Sequence, residues 1–149
     1  MKALLQRVSR ASVCVDGVEI AKIGPGLLIL LGVAQGDSAV SAERLAARCA
    51  EFRIFPDAEG KMNLSLLDTE GEALVVSQFT LVADVSRGRR PGFDPAAKPA
   101  EAEAACETFS AALERLGLRV GRGRFGASMD VELVNQGPAT FLLESAEAA

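Results

Sequence analysis

The 149-residue sequence contains no histidine, no tryptophan and no tyrosine. The first absence excludes a Ser-His-Asp triad, a Cys-His pair and any histidine-ligated zinc, and it removes the commonest general base. The other two leave seven phenylalanines and the arginine planes as the groups able to stack on a nucleobase. Cysteine is scarce. Cys14, Cys49 and Cys106 are an odd number, far apart, with no C-x-x-C pair, which argues against a disulfide framework or a thiolate zinc site and fits a reducing cytosol. Cys49 and Cys106 fall on apolar helical stripes, so packed and inert thiols are expected. Long apolar runs are also missing. The longest, Leu27 to Val33 with Gly32 inside it, is far short of the ~18 residues that span a bilayer. The opening Met1-Lys2-Ala3-Leu4-Leu5-Gln6-Arg7 turns polar too soon for a signal peptide. A soluble, cytoplasmic chain with no membrane partner, no metal and no cofactor is the expectation.

What is present is an ordinary globular balance, 49% hydrophobic and 24% charged. At this length folding buries roughly 68–70% of the unfolded surface, so no staple is required. No repeat or low-complexity linker divides the chain, and residues 1–149 read as one domain. The net charge of −4 speaks against a nucleic-acid partner, DNA included. The distribution is less simple: Arg87, Arg89 and Arg90 form one basic cluster, and Arg119, Arg122 and Arg124 another. The acids gather elsewhere, at Glu101, Glu103 and Glu107 and in the tail at Glu144 and Glu147. Such clusters can take a few phosphates or can simply be solvated surface.

Alternation of Ala11, Val13 and Val15 against Ser12, Cys14 and Asp16 predicts a half-buried strand, with Asp16-Gly17 as a tight turn into a second strand, Val18 to Ile23. Leu27 to Val33 reads as a central strand buried on both faces. Asp37 or Ser38 can cap a helix to about Glu51, with Ala42, Leu45, Ala46 and Cys49 on its inner side. Arg53-Ile54-Phe55 looks like a short strand ended by Pro56. Ala73 to Gln78 is an apolar strand, residues 84 to 99 a loop, and Pro99 the start of a helix to Leu116, stopped by Gly117. The inner stripe of that helix is Cys106, Phe109, Leu113 and Leu116, with Ala112 beside it. Met129, Val131 and Leu133 form one face of a further strand. The turn Asn135-Gln136-Gly137-Pro138 separates it from Ala139 to Leu143. The pattern predicts a single α/β layered domain: a mainly antiparallel sheet with a barrel-like core of two β layers, covered on one face by two helices.

Four segments are not what packing alone would choose. Ser77-Gln78-Phe79-Thr80 puts hydroxyls and an amide where an apolar strand leaves the sheet, a frequent place for a ligand, although a strand end satisfying its own backbone would look the same. Gly137-Pro138, with Asn135 before and Thr140 after, suits a cis peptide or a close backbone approach, or an ordinary turn. Arg87-Gly88-Arg89-Arg90-Pro91 suits phosphate without reading bases. Gly121-Arg122-Gly123-Arg124-Phe125-Gly126 could stack a base or merely turn.

Together they resemble a known family. From Gln6-Arg7-Val8 through Ile23-Gly24-Pro25-Gly26-Leu27-Leu28, Leu31-Gly32-Val33, Arg53-Ile54-Phe55 and Gly60-Lys61-Met62-Asn63-Leu64-Ser65, the chain is similar to the D-aminoacyl-tRNA deacylases along nearly its whole length. Ser77-Gln78-Phe79-Thr80-Leu81, Gly123-Arg124-Phe125-Gly126-Ala127-Ser128-Met129 and Asn135-Gln136-Gly137-Pro138-Ala139-Thr140 complete the match. Gly92, Gln136 and Ala139 depart from the family's usual Ser, Asp and Val.

The resemblance implies hydrolysis of the ester joining a D-amino acid to the 3′-terminal adenosine of tRNA, and of glycine mischarged on alanine tRNA. It places catalysis at Ser77, Gln78, Phe79 and Thr80. Rejection of L-amino acids falls to a cis Gly137-Pro138 acting in the partner subunit of a homodimer. Arg7, Asn135 and Thr140 support that motif, and Phe125 and Met129 flank the adenine. With no histidine, backbone N–H groups and the ribose 2′-hydroxyl would carry the reaction, with Thr80 as nucleophile the competing reading. Two other classes stay open: a non-catalytic tRNA-binding module, and an esterase or amidase acting on small D-amino-acid derivatives.

Overall fold

The computed structural model describes residues 1–145; Glu147 of the acidic tail lies outside them. The first strand, β1 (Lys2–Val15), organises everything else. Along one edge it pairs antiparallel with β2 (Val18–Ile23), through the Asp16-Gly17 turn, and with β3 (Gly26–Gly32). Along the other it pairs antiparallel with β8 (Asp130–Glu144). The sheet continues from β3 to β6 (Glu72–Ser77) and then β7 (Arg119–Arg122), both joined in parallel. Both turn residues, Asp16 and Gly17, have positive φ, 51° and 79°, the conformation that lets a two-residue hairpin follow the strand twist.

Two cores follow from side-chain alternation. Leu27, Ile29 and Leu31 of β3 and Ala73 and Val75 of β6 face one core, beneath α1 (Ala39–Glu51) and α3 (Pro99–Arg115). Leu28 of β3 and Leu74 and Val76 of β6 face a second, where Val8, Ala11 and Val13 of β1 close over them with Met129, Val131 and Leu133 packed alongside. The sheet curls on itself into the expected barrel-like pair of β layers, with the two long helices on one outer face. Fully buried Phe109 anchors α3 to that face; truncating such a ring to alanine costs about 3–5 kcal/mol.

Several elements differ from expectation. Ser38 caps α1, its hydroxyl accepting from the Ser41 amide, while Asp37 instead accepts from the Ala34 amide. The strand at Arg53-Ile54-Phe55 is displaced to β4 (Phe55–Pro56), pairing with β5 (Met62–Leu64). Proline tolerates this because an edge residue need not donate to the ladder. A single helical turn, α2 (Leu66–Thr69), is an unexpected element, closed by a capping box of Ser65 and Asp68. Leu116 is exposed rather than inward, because α3 ends at Arg115 and Leu118 takes the buried place. Ala102 and Ala105 complete the inner stripe, Cys106 being only partly buried. The glycine-rich stretch begins as β7. Finally, 135–138 is not a turn between two strands but a bulge within β8.

Candidate functional site

Strand β6 ends at Ser77, and the Gln78 amide donates to the Leu31 carbonyl at 2.8 Å, the last bond to the sheet. The chain then tightens into a 3₁₀ turn, Phe79–Val82, anchored by buried Val82. Gly32 permits this: a Cβ there would lie 2.9 Å from Leu81 Cβ and 3.0 Å from the Gln78 carbonyl oxygen. Opening amides of a helical turn have no partner within it, and among the described residues no acceptor takes the amides of Phe79 or Thr80. The Gln78 side-chain amide donates to the Thr80 hydroxyl. Phe79 is exposed and its ring lies 5.0 Å from that of Phe93, a neighbour that no sequence motif signalled.

The corner opens on a cavity of about 470 Å³ lined by Ser77, Gln78 and Phe79 on one side and Phe125 and Met129 on the other. The start of α3 supplies Pro99, Ala102 and Cys106, lining residues that no motif marks in the sequence. No carboxylate, lysine or arginine contributes to this wall. Burial, reinforced by the Glu103 charge, pushes the Cys106 thiol up to about 11, so it is not a thiolate near neutrality. An adjoining cavity of about 480 Å³ shares Ser77, Cys106 and Phe125 but adds Glu103, Glu107 and Arg122. There Arg122 donates to both carboxylate oxygens of Glu107 at 3.0 Å and to Glu114, which together hold its guanidinium above its ordinary range. Arg119 pairs with Glu72 at 3.5 Å, so two of the three arginines of this second basic cluster are neutralised.

The second group of expected site residues forms a separate cluster. Thr140 pairs with Gln6 and Asn135 with Val8, so the residues between them bulge from the sheet opposite Arg7. Asn135 closes the bulge: its side chain donates to the Thr140 hydroxyl at 2.9 Å and accepts from the Ala139 amide at 3.1 Å. Arg7 donates from Nε to the Gln136 carbonyl at 3.1 Å and from Nη1 to the Ile54 carbonyl at 2.6 Å, tying the bulge to the segment before β4. The Gly137-Pro138 peptide is cis, and Gly137 has φ 126°. Gln136, Gly137 and Pro138 are exposed, and neither cavity has a lining residue from 135–140. Arg7, Asn135, Gly137, Pro138 and Thr140 thus come together, apart from the Ser77–Thr80 corner of their own chain.

The family model described as D-Tyr-tRNA(Tyr) deacylase matches residues 4–144. A D-aminoacyl-tRNA deacylase of Roseiflexus castenholzii is 60% identical over 146 residues, 98% of this chain and 93% of that protein. One from Cereibacter sphaeroides is 56% identical over 145 residues, 97% of this chain and 100% of its own. Among solved structures, one described as the c-Myc DNA Unwinding Element Binding Protein is similar at 40% identity with a TM-score of 0.91, covering 98% of this chain and 99% of its own. A probable eukaryotic D-amino acid tRNA deacylase shares the fold, with a TM-score of 0.80 over 95% of this chain and 97% of its own at 18% identity.

Proposed function

The chain belongs to the D-Tyr-tRNA(Tyr) deacylase family, and from that premise we propose that it is a D-aminoacyl-tRNA deacylase that reads chirality by exclusion. Water adds across the ester between the amino acid and the 3′-terminal adenosine. The carbonyl–oxygen bond breaks, the ribose oxygen leaves with a proton, and free tRNA and a D-amino acid result. The same site takes glycine mischarged on alanine tRNA, because glycine has no side chain to exclude.

The observation that carries this reading is the corner itself. Two unclaimed amides, Phe79 and Thr80, follow directly on Ser77 and Gln78, which line a cavity whose wall offers no side-chain base at neutral pH. Such donors suit the oxyanion of a tetrahedral intermediate, and losing one oxyanion donor typically costs about 10²–10³ in rate. An aminoacyl ester is already reactive, so positioning and the neighbouring ribose 2′-hydroxyl supply what a general base would otherwise provide. Among the described residues the Thr80 hydroxyl is bonded to the Gln78 amide and to no carboxylate, which favours the backbone over Thr80 as the working group. Phe125 and Met129 across the cavity flank the adenine.

Rejection of L-esters falls to Gly137-Pro138 of a second subunit. In support, this bulge is exposed, braced by Arg7, and lines neither of the two cavities described above. A backbone wall that clashes with an L side chain accounts for broad tolerance of D side chains better than any tailored pocket. The test is deacylation of matched D-, L- and glycyl-tRNA by the purified protein. Fast D and glycine turnover with the L-ester nearly untouched is expected, and equal D and L rates would sink the chiral reading.

A further inference from the structure

The basic segment Arg87-Gly88-Arg89-Arg90 belongs neither to the Ser77–Thr80 corner nor to the Arg7–Gly137 group. It is the tip of a small pinned hairpin. Asp84 and Gly92 exchange backbone hydrogen bonds at 2.7 and 2.8 Å. The Asp84 carboxylate accepts from the Ser86 amide at 2.9 Å and hydroxyl at 2.6 Å, bonds that hold its carboxyl below the usual range. One residue past the pinch, Phe93 packs on Phe79, so the hairpin is fastened at its base to the Ser77–Thr80 corner. All three arginines are exposed. Among the described residues none has a carboxylate within 4.0 Å, whereas Arg10, Arg115, Arg119 and Arg122 are all paired. On a chain of net charge −4, this leaves three uncompensated cations together at the tip of a hairpin whose base packs on Phe79.

We propose that this hairpin is a phosphate clamp for the acceptor end of tRNA, holding the polynucleotide backbone while the corner works on the terminal ester. The inference rests on the deacylase reading for its partner. Guanidinium forks match phosphate oxygens in geometry as well as charge. Contacts of this kind fix position without reading sequence.

The test compares the triple variant Arg87→Gln, Arg89→Gln, Arg90→Gln with a charge-matched control, Arg10→Gln, Arg115→Gln, Arg119→Gln, which removes three arginines already engaged with carboxylates. The hairpin variant is expected to raise KM for D-aminoacyl-tRNA about tenfold or more at low salt with kcat unchanged. The slope of log affinity for deacylated tRNA against log salt should flatten by up to about two to three. Hydrolysis of a D-aminoacyl adenosine, which carries no phosphate, should not change; this also verifies that the variant is folded with its corner intact. A KM and salt slope indistinguishable from the control would overturn the clamp. So would equal losses on tRNA and adenosine esters, which would make the hairpin only a support for Phe79. If the parent protein fails to hydrolyse D-aminoacyl-tRNA, the deacylase reading falls, and binding of deacylated tRNA still decides the clamp.

Discussion

Replacing Gly137 with alanine tests the chiral reading at a single atom. A Cβ at this position would lie 2.7 Å from Arg7 Nη2 and 3.2 Å from the Ala139 amide nitrogen, on a backbone with φ 126°. Holding an L-residue at such a φ costs about 1–3 kcal/mol. The Arg7 head is the movable party, but shifting it puts at risk its 3.1 Å bond to the Gln136 carbonyl; a hydrogen bond to a charged group is worth about 1.5–3 kcal/mol, at the lower end when partly exposed. Together these amount to about 2.5–4.5 kcal/mol against the present bulge conformation, a population change of about 70- to 2,000-fold. The bulge is exposed and can rearrange locally, so the melting temperature should fall by less than the 2–4 °C per kcal/mol that a global cost would give. The assay is single-turnover deacylation of one tRNA carrying the D- or the L-form of the same amino acid. Gly137→Ala should keep its D rate within a few-fold while rejection of the L-ester weakens tenfold or more. Undiminished rejection, or equal losses on both esters, would refute the reasoning.

Three further outcomes can be checked alongside. Thr80→Val should retain a substantial part of the turnover, whereas a tRNA ending in 2′-deoxyadenosine should be a crippled substrate; the reverse result would make Thr80 the nucleophile. A chain defective at Gly137 and Pro138, paired with a chain disabled in the Ser77–Phe79 segment, should regain D-specific hydrolysis in the mixed dimer, at up to about half the parental rate per dimer if the sites are independent; no recovery in verified mixed dimers would leave the bulge serving its own chain. Burial pushes the Cys49 thiol up from 9.0 to about 12. The native state therefore holds this proton where the unfolded chain has lost it, and its contribution is intact below pH 9 and declines as pH rises above that value. Thermal melts above pH 9 should show a flatter pH dependence for Cys49→Ala than for the parent, and an unchanged slope would contradict the assignment.

The strands were legible because their alternation has a physical cause. Leu27 to Val33 reads as continuous apolar sequence since β3 serves a core on each face, and Asp16-Gly17 is a turn that strand twist favours. What resisted reading was set by contacts distant in sequence. The Asn135–Pro138 segment carries every residue of an ordinary turn, and only the pairing of Asn135 with Val8 and of Thr140 with Gln6 makes it a bulge within one strand. Phe93 gave no local sign of its place against Phe79. Nor did Arg122 announce that two carboxylates of α3 would neutralise it. At the site, the two groups of residues were identifiable from the motifs, but their separation into a cavity corner and an exposed bulge depends on how the sheet curls.

Strand β6 has no face turned to water: Ala73 and Val75 belong to one core and Leu74 and Val76 to the other. A slip of one residue would exchange the two sets, driving leucine against the helices and Ser77 inward, so the register is locked from both sides. The strand therefore delivers Ser77 to a fixed address whatever the residues after it happen to be. For the evolution or redesign of this site, that divides the segment into two kinds of position. Through Val76 a substitution is a question of fit between two interiors and is answered in stability. From Gln78 to Thr80 the side chains serve neither core, and a substitution there can be written into the chemistry of the corner without renegotiating either interior, until buried Val82 ties the chain back to the fold.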